Sequence, residues 1–439
     1  SPRTAPEERS REGVWMKSME LVIEGECYMS GRFERACVGI DGGRIVAIAR
    51  NLDGDRRIDF GSRKILPAAI DSHVHFREPG MTHKEDFGTG SLAALHGGVS
   101  CVLDMPNTVP PTTTVSELDD KARAAAARSL VDFGLFAAVR PGADIAALAG
   151  RAIGFKLYMA GTTGDLLVPS LASVQKELAD VARSGKVLAV HAEDETIRRK
   201  EPAKGPADHL RNRPNECEAS AIRKVARGAE GCRVHICHVS AKDSLPLVQG
   251  QPNLTSEVTP HHMLLDRDRP LGTFGKVNPP LRTKGDRQAM FLAFKQGQFD
   301  TMASDHAPHT VDEKKEDFDY APSGMPGVET MFPLMLQHVR DKHLALATVV
   351  KALCERPGEI FGIKKGRIEV GYDADLVAVD FMAGRDIRAD DMHSKCGWTA
   401  YEGMPAVFPR ATVVRGELVM KDEEQAGESR GRDVVAKAR

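Results

Sequence analysis

One ten-residue stretch, DSHVHFREPG at positions 71–80, limits what this chain can fold into more than any other feature. It places His73 and His75 two positions apart at the end of an apolar run, with Arg77 two positions further on. On an extended strand, side chains at i, i+2 and i+4 leave the same face. The spacing therefore predicts two imidazole metal ligands beside a guanidinium that suits a carboxylate.

The bulk composition favours a globular intracellular protein. The chain has 439 residues, 41% of them hydrophobic, and a formal charge of −2, which gives no electrostatic argument for nucleic acid or an anionic membrane. No apolar run approaches the roughly 20 residues of a membrane span. The eight cysteines show no paired CxxC spacing. We therefore expect a cytoplasmic protein that binds neither nucleic acid nor membrane.

The central region alternates short apolar strands with amphipathic helical segments, a pattern typical of parallel α/β folds. Segments such as SELDDKARAAAARS, LASVQKELADVARSG and ECEASAIRKVARGA separate the strands. Eight such units favour a (β/α)8 TIM barrel over an open sheet. The predicted strands are ILPAAIDSHVH, VSCVLDMP, VDFGLFAAV, AIGFKLYM, KVLAVHAED, RVHICHVS, NLTSEVTP and TMASDHAP.

Segments on both sides of the barrel predict a second, smaller unit. Both alternate apolar and polar positions around Gly-containing turns, as antiparallel strands do. Because they bracket the barrel, we expect them to pair into one small β-sandwich domain. The predicted boundaries are a disordered arm at 1–16, sandwich segments at 17–66 and 366–421, the barrel at 67–365, and a charged, mobile C-terminal tail at 422–439.

Polar side chains fall at the carboxyl ends of the predicted strands, which is the catalytic face of such a barrel. The candidate metal ligands are His73, His75, Lys156, His191, His238 and Asp305. Lys156 stands at the end of a buried strand, where an ammonium is costly to desolvate. A lysine carboxylated by CO2 would instead be an anionic carbamate able to bridge two divalent cations about 3.5–4 Å apart.

These motifs resemble those of the dihydroorotases in the amidohydrolase superfamily, over the whole barrel and both flanks. The matching motifs are DSHVHFREPG, DMPNTVPPT, GFKLYMAGTTG, VHAED, ICHVS, EVTPHH, NPPLR and ASDHAPHT. The resemblance implies one zinc on His73 and His75, a second on His191 and His238, and carboxylated Lys156 between them. Asp305 would complete the first metal's ligands. Some bacterial relatives use a bridging aspartate instead, and the FKLYM context favours the lysine type.

The resemblance also implies the reaction, which is reversible hydrolysis of L-dihydroorotate to N-carbamoyl-L-aspartate, a step of pyrimidine (UMP) synthesis. Asp305 would be the catalytic proton shuttle. The expected substrate-binding residues are His75, Arg77, Asn107, Asn278, His309, Ser323, Gly324 and, in a lid, Thr162. Cys237 and Glu257 stand at positions similar to those that hold a third zinc in the multifunctional animal pyrimidine protein.

Three alternatives stay open on the sequence. Hydantoinases and dihydropyrimidinases share the two-metal set but open rings without a carboxylate, and so have no need of Arg77. Allantoinases act on a neutral ureido ring. Some relatives have lost catalysis and serve as scaffolds, although these usually lose metal ligands. The resemblance suggests a homodimer, and association with aspartate transcarbamoylase is a further partner hypothesis.

Overall fold

The computed structural model describes residues 18–162, 164–427 and 429–435. The chain begins with four strands outside the barrel: β1 (Met19–Met29), β2 (Arg32–Asp41), β3 (Arg44–Ala49) and β4 (Gly54–Pro67). Strand β1 pairs antiparallel with β2 and parallel with β4. The arm predicted at 1–16 lies outside the described residues.

Eight parallel strands then form the barrel, in the order and at the places that the sequence predicted. They are β5 (Ala69–Val74), β6 (Val99–Asp104), β7 (Asp132–Ala138), β8 (Gly154–Tyr158), β9 (Val187–His191), β10 (Arg233–Ile236), β11 (Leu254–Val258) and β12 (Thr301–Met302). Each pairs with its neighbour in chain order. A parallel bridge between Val74 and His306 brings the last strand back to the first, so the predicted (β/α)8 barrel is confirmed.

Helices cover the outside of the barrel, and the three segments quoted from the sequence are all helical. The helices are α1 (Phe87–His96), α2 (Val115–Arg128), α3 (Ile145–Ala149), α4 (Gln175–Ser184), α5 (Pro206–Asn212), α6 (Asn215–Gly228), α7 (Leu245–Val248), α8 (Pro260–Leu264), α9 (Lys284–Lys295), α10 (Val311–Lys314), α11 (Met331–Arg340), α12 (Leu346–Val350) and α13 (Arg356–Phe361). A π-helical turn, Lys351–Glu355, joins the last two. None of the described helices is long and apolar enough to cross a membrane.

Local sequence explains where these helices begin and which face they bury. Helix α2 begins after Thr114, whose side chain and that of Glu117 form a reciprocal capping box. Helix α6 buries Cys217, Ala221 and Val225, which are spaced four residues apart on one stripe. Burial of such stripes against the strands builds the outer layer of the core.

The remaining strands complete the second unit. They are β13 (Leu376–Val379), β14 (Arg385–Asp386), β15 (Pro405–Ala406), β16 (Ala411–Val414), β17 (Glu417–Lys421) and β18 (Glu424–Gln425). The order β18-β17-β16-β13-β4-β1-β2-β3 unites both flanks in one eight-stranded mixed sheet, while β14 and β15 form a separate pair. Both flanks contribute to one apolar core, with Ile23 and Val38 from the first and Leu376 and Val413 from the second.

Residues 429–435 of the C-terminal tail pack against the barrel, in contrast to the expected mobile tail, while Glu424 and Gln425 form the exposed strand β18. Gly431 N donates to Ser129 O at 2.6 Å, and Val434 N donates to Phe133 O at 2.9 Å. Val434 and Val435 pack on an apolar cluster inside the barrel that includes Ile70, Leu103 and Phe136. The charged composition of the tail concealed these two valines, which cover the end of the barrel opposite the catalytic face.

Candidate metal centre and anion pocket

The six predicted metal ligands converge at the carboxyl ends of the barrel strands. Asp305 Oδ1 lies 3.3 Å from His73 Nε2 and 3.1 Å from His75 Nε2. His191 Nδ1 lies 3.0 Å from His238 Nε2. The rings of His73 and His238 have centroids 5.3 Å apart, so the two groups are neighbours. The structure thus brings together residues that are up to 232 positions apart in the sequence.

Lys156 lies fully buried in the same cluster. Its Nζ is 2.9 Å from Cys237 Sγ, and its charge contributes, after burial, to lowering the pKa of His191. In the described residues, no carboxylate lies within 4.0 Å of this Nζ. An ammonium here has the Cys237 thiol and the ring of Tyr158, 5.3 Å away, as partners, whereas an anionic carbamate would suit divalent cations held by the surrounding imidazoles.

Second-layer carboxylates and an amide orient these imidazoles. Glu257 lies 2.6 Å from His73 Nδ1 and 3.1 Å from His235 Nε2. Asn107 Oδ1 lies 2.6 Å from His75 Nδ1, and Glu193 lies 2.8 Å from His191 Nε2. Such contacts fix ring orientation and the position of the ring proton in metal-binding histidines.

The electrostatics of the cluster favour neutral imidazoles beside ionised carboxylates. Burial lowers the pKa of His75 to about 3, and burial together with His191 holds the pKa of His238 well below its usual range. Burial would raise the pKa of Asp305, but His73 and His75 outweigh it and keep that pKa well below the usual range. Metal ligands must be deprotonated, so these are the required forms.

His73 differs from the other ligands in a way that also favours a metal. Burial and Lys156 lower its pKa, but Glu257 and Asp305 outweigh them and raise it to about 10. Two carboxylates that favour a proton on His73 also favour a metal cation at the same point.

The donor set fits divalent zinc. His73, His238 and Asp305 each offer a ligand atom within 4.8 Å of the others, and so do His73, Cys237 and Glu257. His238 Nδ1 is buried without a hydrogen-bond partner among the described residues. Imidazole nitrogen, carboxylate oxygen and thiolate sulfur are the ligands that zinc takes in proteins.

A cavity open to solvent joins the metal ligands to a cationic end. Arg77, Asn107, Asn278, Ser323, Gly324 and Thr162 line it together with the six ligands. Asn278 Oδ1 is buried with no hydrogen-bond partner in the part of the chain that the structure describes. Its amide is therefore placed to bind a ligand. Thr163, within the predicted lid, lies outside the described residues.

Arg77 is a buried cation at the edge of this cavity. It is 2% exposed, its Nε donates to Pro308 O at 3.1 Å, and burial lowers its pKa to about 10. Among the described residues, no carboxylate lies within ion-pair distance of its guanidinium. A buried guanidinium without a carboxylate partner calls for an anionic ligand.

His309 lies behind Arg77 rather than on the cavity wall. Its Nε2 is 3.1 Å from both Arg77 Nη2 and Ser323 O, and its Nδ1 is 3.1 Å from Lys84 Nζ. Cys237 and Glu257 also lie below the cavity surface, with 2% and 0% exposure. The structure thus separates these three predicted site residues from those that line the cavity.

Three site residues have left-handed backbone, which is uncommon outside glycine. Arg77, His238 and Asp305 have φ of 62°, 36° and 48°. Residues held in such conformations cluster at functional sites because the surrounding structure must enforce them. Gly324 has φ of 144°, and a Cβ there would lie 2.4 Å from Ala307 O. Only glycine therefore fits at this point of the cavity wall.

Sequence reasoning missed several residues of the site. Tyr158 lines the cavity, and its buried hydroxyl has no hydrogen-bond partner among the described residues. Lys84, Glu85 and Glu193 support His309, His306 and His191. The signal for Lys84 and Glu85 was their place in HKED just after the metal motif, and the signal for Glu193 was its place two residues after His191.

Comparison with known proteins identifies the family. The model of the Amidohydrolase family matches residues 65–419. The chain therefore belongs to the amidohydrolase family. Curated relatives place it more narrowly. It is 39% identical over 443 residues to a dihydroorotase of Methanosarcina mazei, covering 94% of this chain and 96% of the relative. It is 40% identical over 422 residues to a dihydroorotase of Thermoplasma volcanium, covering 95% and 98%. Within the family, the chain belongs with the dihydroorotases.

Solved structures show the same fold. An L-hydantoinase (dihydropyrimidinase) from Arthrobacter aurescens matches with a TM-score of 0.89 and 29% identity, covering 95% of this chain and 99% of that one. A dihydropyrimidinase from Brevibacillus agri matches with a TM-score of 0.84 and 26% identity, covering 96% and 99%. Because this architecture is shared by enzymes named for different rings, the choice of substrate depends on the residues of the cavity.

Proposed function

We propose that this chain is a dihydroorotase, which catalyses the reversible hydrolysis of L-dihydroorotate to N-carbamoyl-L-aspartate. The observation that carries this choice is Arg77, a buried guanidinium that shares a cavity with the metal ligands and has no carboxylate partner among the described residues. The ring carboxylate of dihydroorotate would supply that partner with paired hydrogen bonds. A ring without a carboxylate would leave the cation unpaired.

Metal binding follows from the donor set. Two zinc ions are proposed, the first on His73, His75 and Asp305 and the second on His191 and His238, with carboxylated Lys156 as their common ligand. When bound, zinc would supply hydroxide at neutral pH by lowering the pKa of water from 15.7 toward about 7, and would polarise the scissile carbonyl. Cys237 and Glu257, whose ligand atoms lie within 4.8 Å of one another and of a ring nitrogen of His73, are the proposed ligands of a third metal ion.

Residues of the chain would carry out the proton transfer and bind the substrate. Asp305 would accept a proton at its carboxylate from the attacking water and deliver it to the ring nitrogen as the amide bond breaks. Arg77 and Asn107 would hold the ring carboxylate, while Asn278 and the backbone of Ser323 and Gly324 would contact the ring. Thr162, on the segment that carries small residues, would close over the substrate.

His75 and Asn107 would couple the two ends of the cavity. Their 2.6 Å contact joins a metal ligand to a residue proposed to bind the ring carboxylate. His309 would act on the carboxylate through Arg77 and Ser323, since it lies behind both.

A cytoplasmic homodimer is the proposed form of the enzyme. The eight cysteines are all buried and free, as expected in a reducing compartment. Association with aspartate transcarbamoylase would bring together the enzyme that makes carbamoyl aspartate and the enzyme that consumes it. Size measurements of the pure protein, with and without that enzyme, test both statements.

The test of the function is ring opening of L-dihydroorotate beside dihydrouracil, on one preparation with its zinc counted. Turnover of dihydroorotate with about two zinc ions per chain, and little turnover of dihydrouracil, is the expected result. Preference for dihydrouracil would move the chain to the hydantoinase branch of the family. Bound zinc with no turnover of either ring would support a scaffold instead.

A further inference from the structure

His309 has contacts that cannot all be hydrogen bonds at once. Its Nε2 is 3.1 Å from Ser323 O, which can only accept, and 3.1 Å from Arg77 Nη2, which can only donate. A neutral imidazole carries its proton on one nitrogen and a lone pair on the other. With the proton on Nε2, His309 donates to Ser323. With the lone pair there, it accepts from Arg77.

Lys84 decides between these two forms. Its ammonium Nζ lies 3.1 Å from His309 Nδ1 and can only donate to it. The lone pair must therefore be on Nδ1 and the proton on Nε2. Lys84 is itself buried and held by Glu313 at 2.9 Å, so this donor has a fixed position.

Burial and the other charges around His309 keep its ring neutral. Three cations lie near its ring: Arg77 from the loop after β5, Lys84 from the loop before α1 and Lys314 from α10. The carboxylate of Glu313 also faces the ring, with Oε2 3.9 Å from Nδ1. Burial, then Arg77, Lys84 and Lys314, hold the pKa of His309 well below its usual range. His309 therefore stays neutral at physiological pH.

We propose that Lys84 is a positioning residue that fixes the proton of His309 on Nε2 and so keeps Arg77 Nη2 available for the substrate carboxylate. An N–H group on Nε2 cannot accept a hydrogen bond, so Arg77 Nη2 does not donate to His309. The same proton holds Ser323 O, next to Gly324 on the cavity wall. The part that concerns the carboxylate rests on the proposed function, whereas the position of the proton does not.

Loss of Lys84 reverses this arrangement. In Lys84→Met, Nδ1 no longer faces the Lys84 ammonium, and the carboxylate of Glu313, 3.9 Å away, can only accept. The proton then moves to Nδ1, the Nε2 lone pair accepts from Arg77, and the guanidinium is diverted from the cavity. Lys84→Arg keeps a charged donor at Nδ1 and preserves the original form.

The direct test is nitrogen NMR of the zinc-loaded full chain labelled with 15N-histidine. Two-bond couplings report which ring nitrogen carries the proton, and His309→Gln identifies the signal. The wild-type ring carries its proton on Nε2, Lys84→Arg retains that form, and Lys84→Met shifts it toward Nδ1. A wild-type proton on Nδ1, or an unchanged Lys84→Met spectrum, overturns the proposal whether or not any variant is active.

Kinetics on the same samples test the consequence for substrate. Lys84→Met raises KM for dihydroorotate about tenfold, the effect of one weakened charged hydrogen bond, with a smaller change in kcat. Lys315→Met, at the exposed neighbour of Lys314, is the control and leaves both unchanged. An unchanged KM in Lys84→Met overturns the link to Arg77. Absence of wild-type turnover overturns the proposed function instead, and the spectrum still decides the position of the proton.

Discussion

Glu85 and His306 form a buried pair immediately behind the proposed catalytic aspartate. Glu85 Oε2 lies 3.3 Å from His306 Nε2, and His306 is the residue after Asp305. His306 Nδ1 accepts from Gly327 N at 3.1 Å, so its proton is on Nε2 and is donated to Glu85. His306 O accepts from His75 N at 2.7 Å. This pair therefore holds the junction between the first and last strands of the barrel, where His75 meets Asp305.

Glu85→Ala should lower kcat about 10- to 100-fold, as losses of groups that orient metal ligands do. The reason is that His306 loses its acceptor and Asp305, in left-handed backbone, loses support. Steady-state kinetics with zinc content measured on the same sample provide the check. Glu85→Gln, which keeps an acceptor oxygen, should recover most of the activity. Equal losses in the two variants would mean that the charge of Glu85, not its hydrogen bond, is required.

Asp305→Asn should reduce turnover about 10²- to 10⁴-fold, the usual contribution of a positioned acid–base group. An amide cannot carry the proton between water and the ring nitrogen, although its oxygen can still bind a metal. Zinc content should therefore change little, and it is measured beside kcat for both directions of the reaction. Turnover within a few-fold of wild type would remove Asp305 as the proton carrier.

The barrel and its six convergent ligands could be predicted because both depend on local patterns. Each strand is a short apolar run, and each ligand stands near the carboxyl end of its strand or just past it, with Lys156, two residues before the end of β8, the furthest inside. The support of the site could not be predicted in the same way. Glu85 also binds Ser394 and Lys395 N, more than 300 positions away, and no local pattern in the sequence encodes such contacts. His309 was predicted to bind substrate, but only the packing of Lys84 and Arg77 around it shows that it lies behind Arg77 and does not line the cavity.

Arg77→Met should raise KM for dihydroorotate about 10- to 100-fold, because a charged hydrogen-bonded pair contributes about 1.5–3 kcal/mol. Any turnover of dihydrouracil, which has no ring carboxylate, should be unchanged or improved. Parallel assays of the two rings give the ratio of kcat/KM directly. The same loss for both rings would place Arg77 in the support of the metal site instead of in substrate selection.

Lys365 stabilises the end of the barrel opposite the metal ligands through contacts with three carboxylates. Its Nζ lies 2.6 Å from Asp132, 2.9 Å from Asp373 and 2.7 Å from Asp375. Lys365→Met would leave these groups without their common cation and should cost about 3–5 kcal/mol in the free energy of unfolding at pH 7. Lys364→Met, at the exposed neighbour, is the matched control. Denaturant titration measures both, and equal stability of the two variants would contradict the expectation.

The pH dependence of stability should follow from the same ion cluster. Burial would lower the pKa of Lys365, but Asp375 and Asp373 outweigh it and raise the pKa above the ordinary 10.5. A raised pKa means that the stabilisation is complete below pH 10.5 and is lost as the pH rises through the folded value. The difference in unfolding free energy between wild type and Lys365→Met should therefore be constant near neutral pH and shrink as the pH rises above 10.5.

The C-terminal segment should stabilise the barrel without taking part in the chemistry. Truncation after Gly427 removes the hydrogen bonds that Gly431 N and Val434 N donate to the backbone beside and within β7. It also removes the 2.8 Å hydrogen bond from Arg432 N to Asp132. The apolar cluster inside the barrel, on which Val434 and Val435 pack, becomes exposed. The expected loss is about 3–6 kcal/mol of unfolding free energy, from at least five hydrogen bonds and the exposed valine surface. The other two bonds are those that Phe133 N donates to Arg432 O and Arg415 Nη2 donates to Arg430 O. Because the segment covers the end opposite the metal ligands, kcat per bound zinc at low temperature should stay the same. Removal of 436–439 alone is the control. A truncated chain that is as stable as the wild type would show that these contacts contribute nothing, and one that is stable but inactive would show that the segment acts on the site.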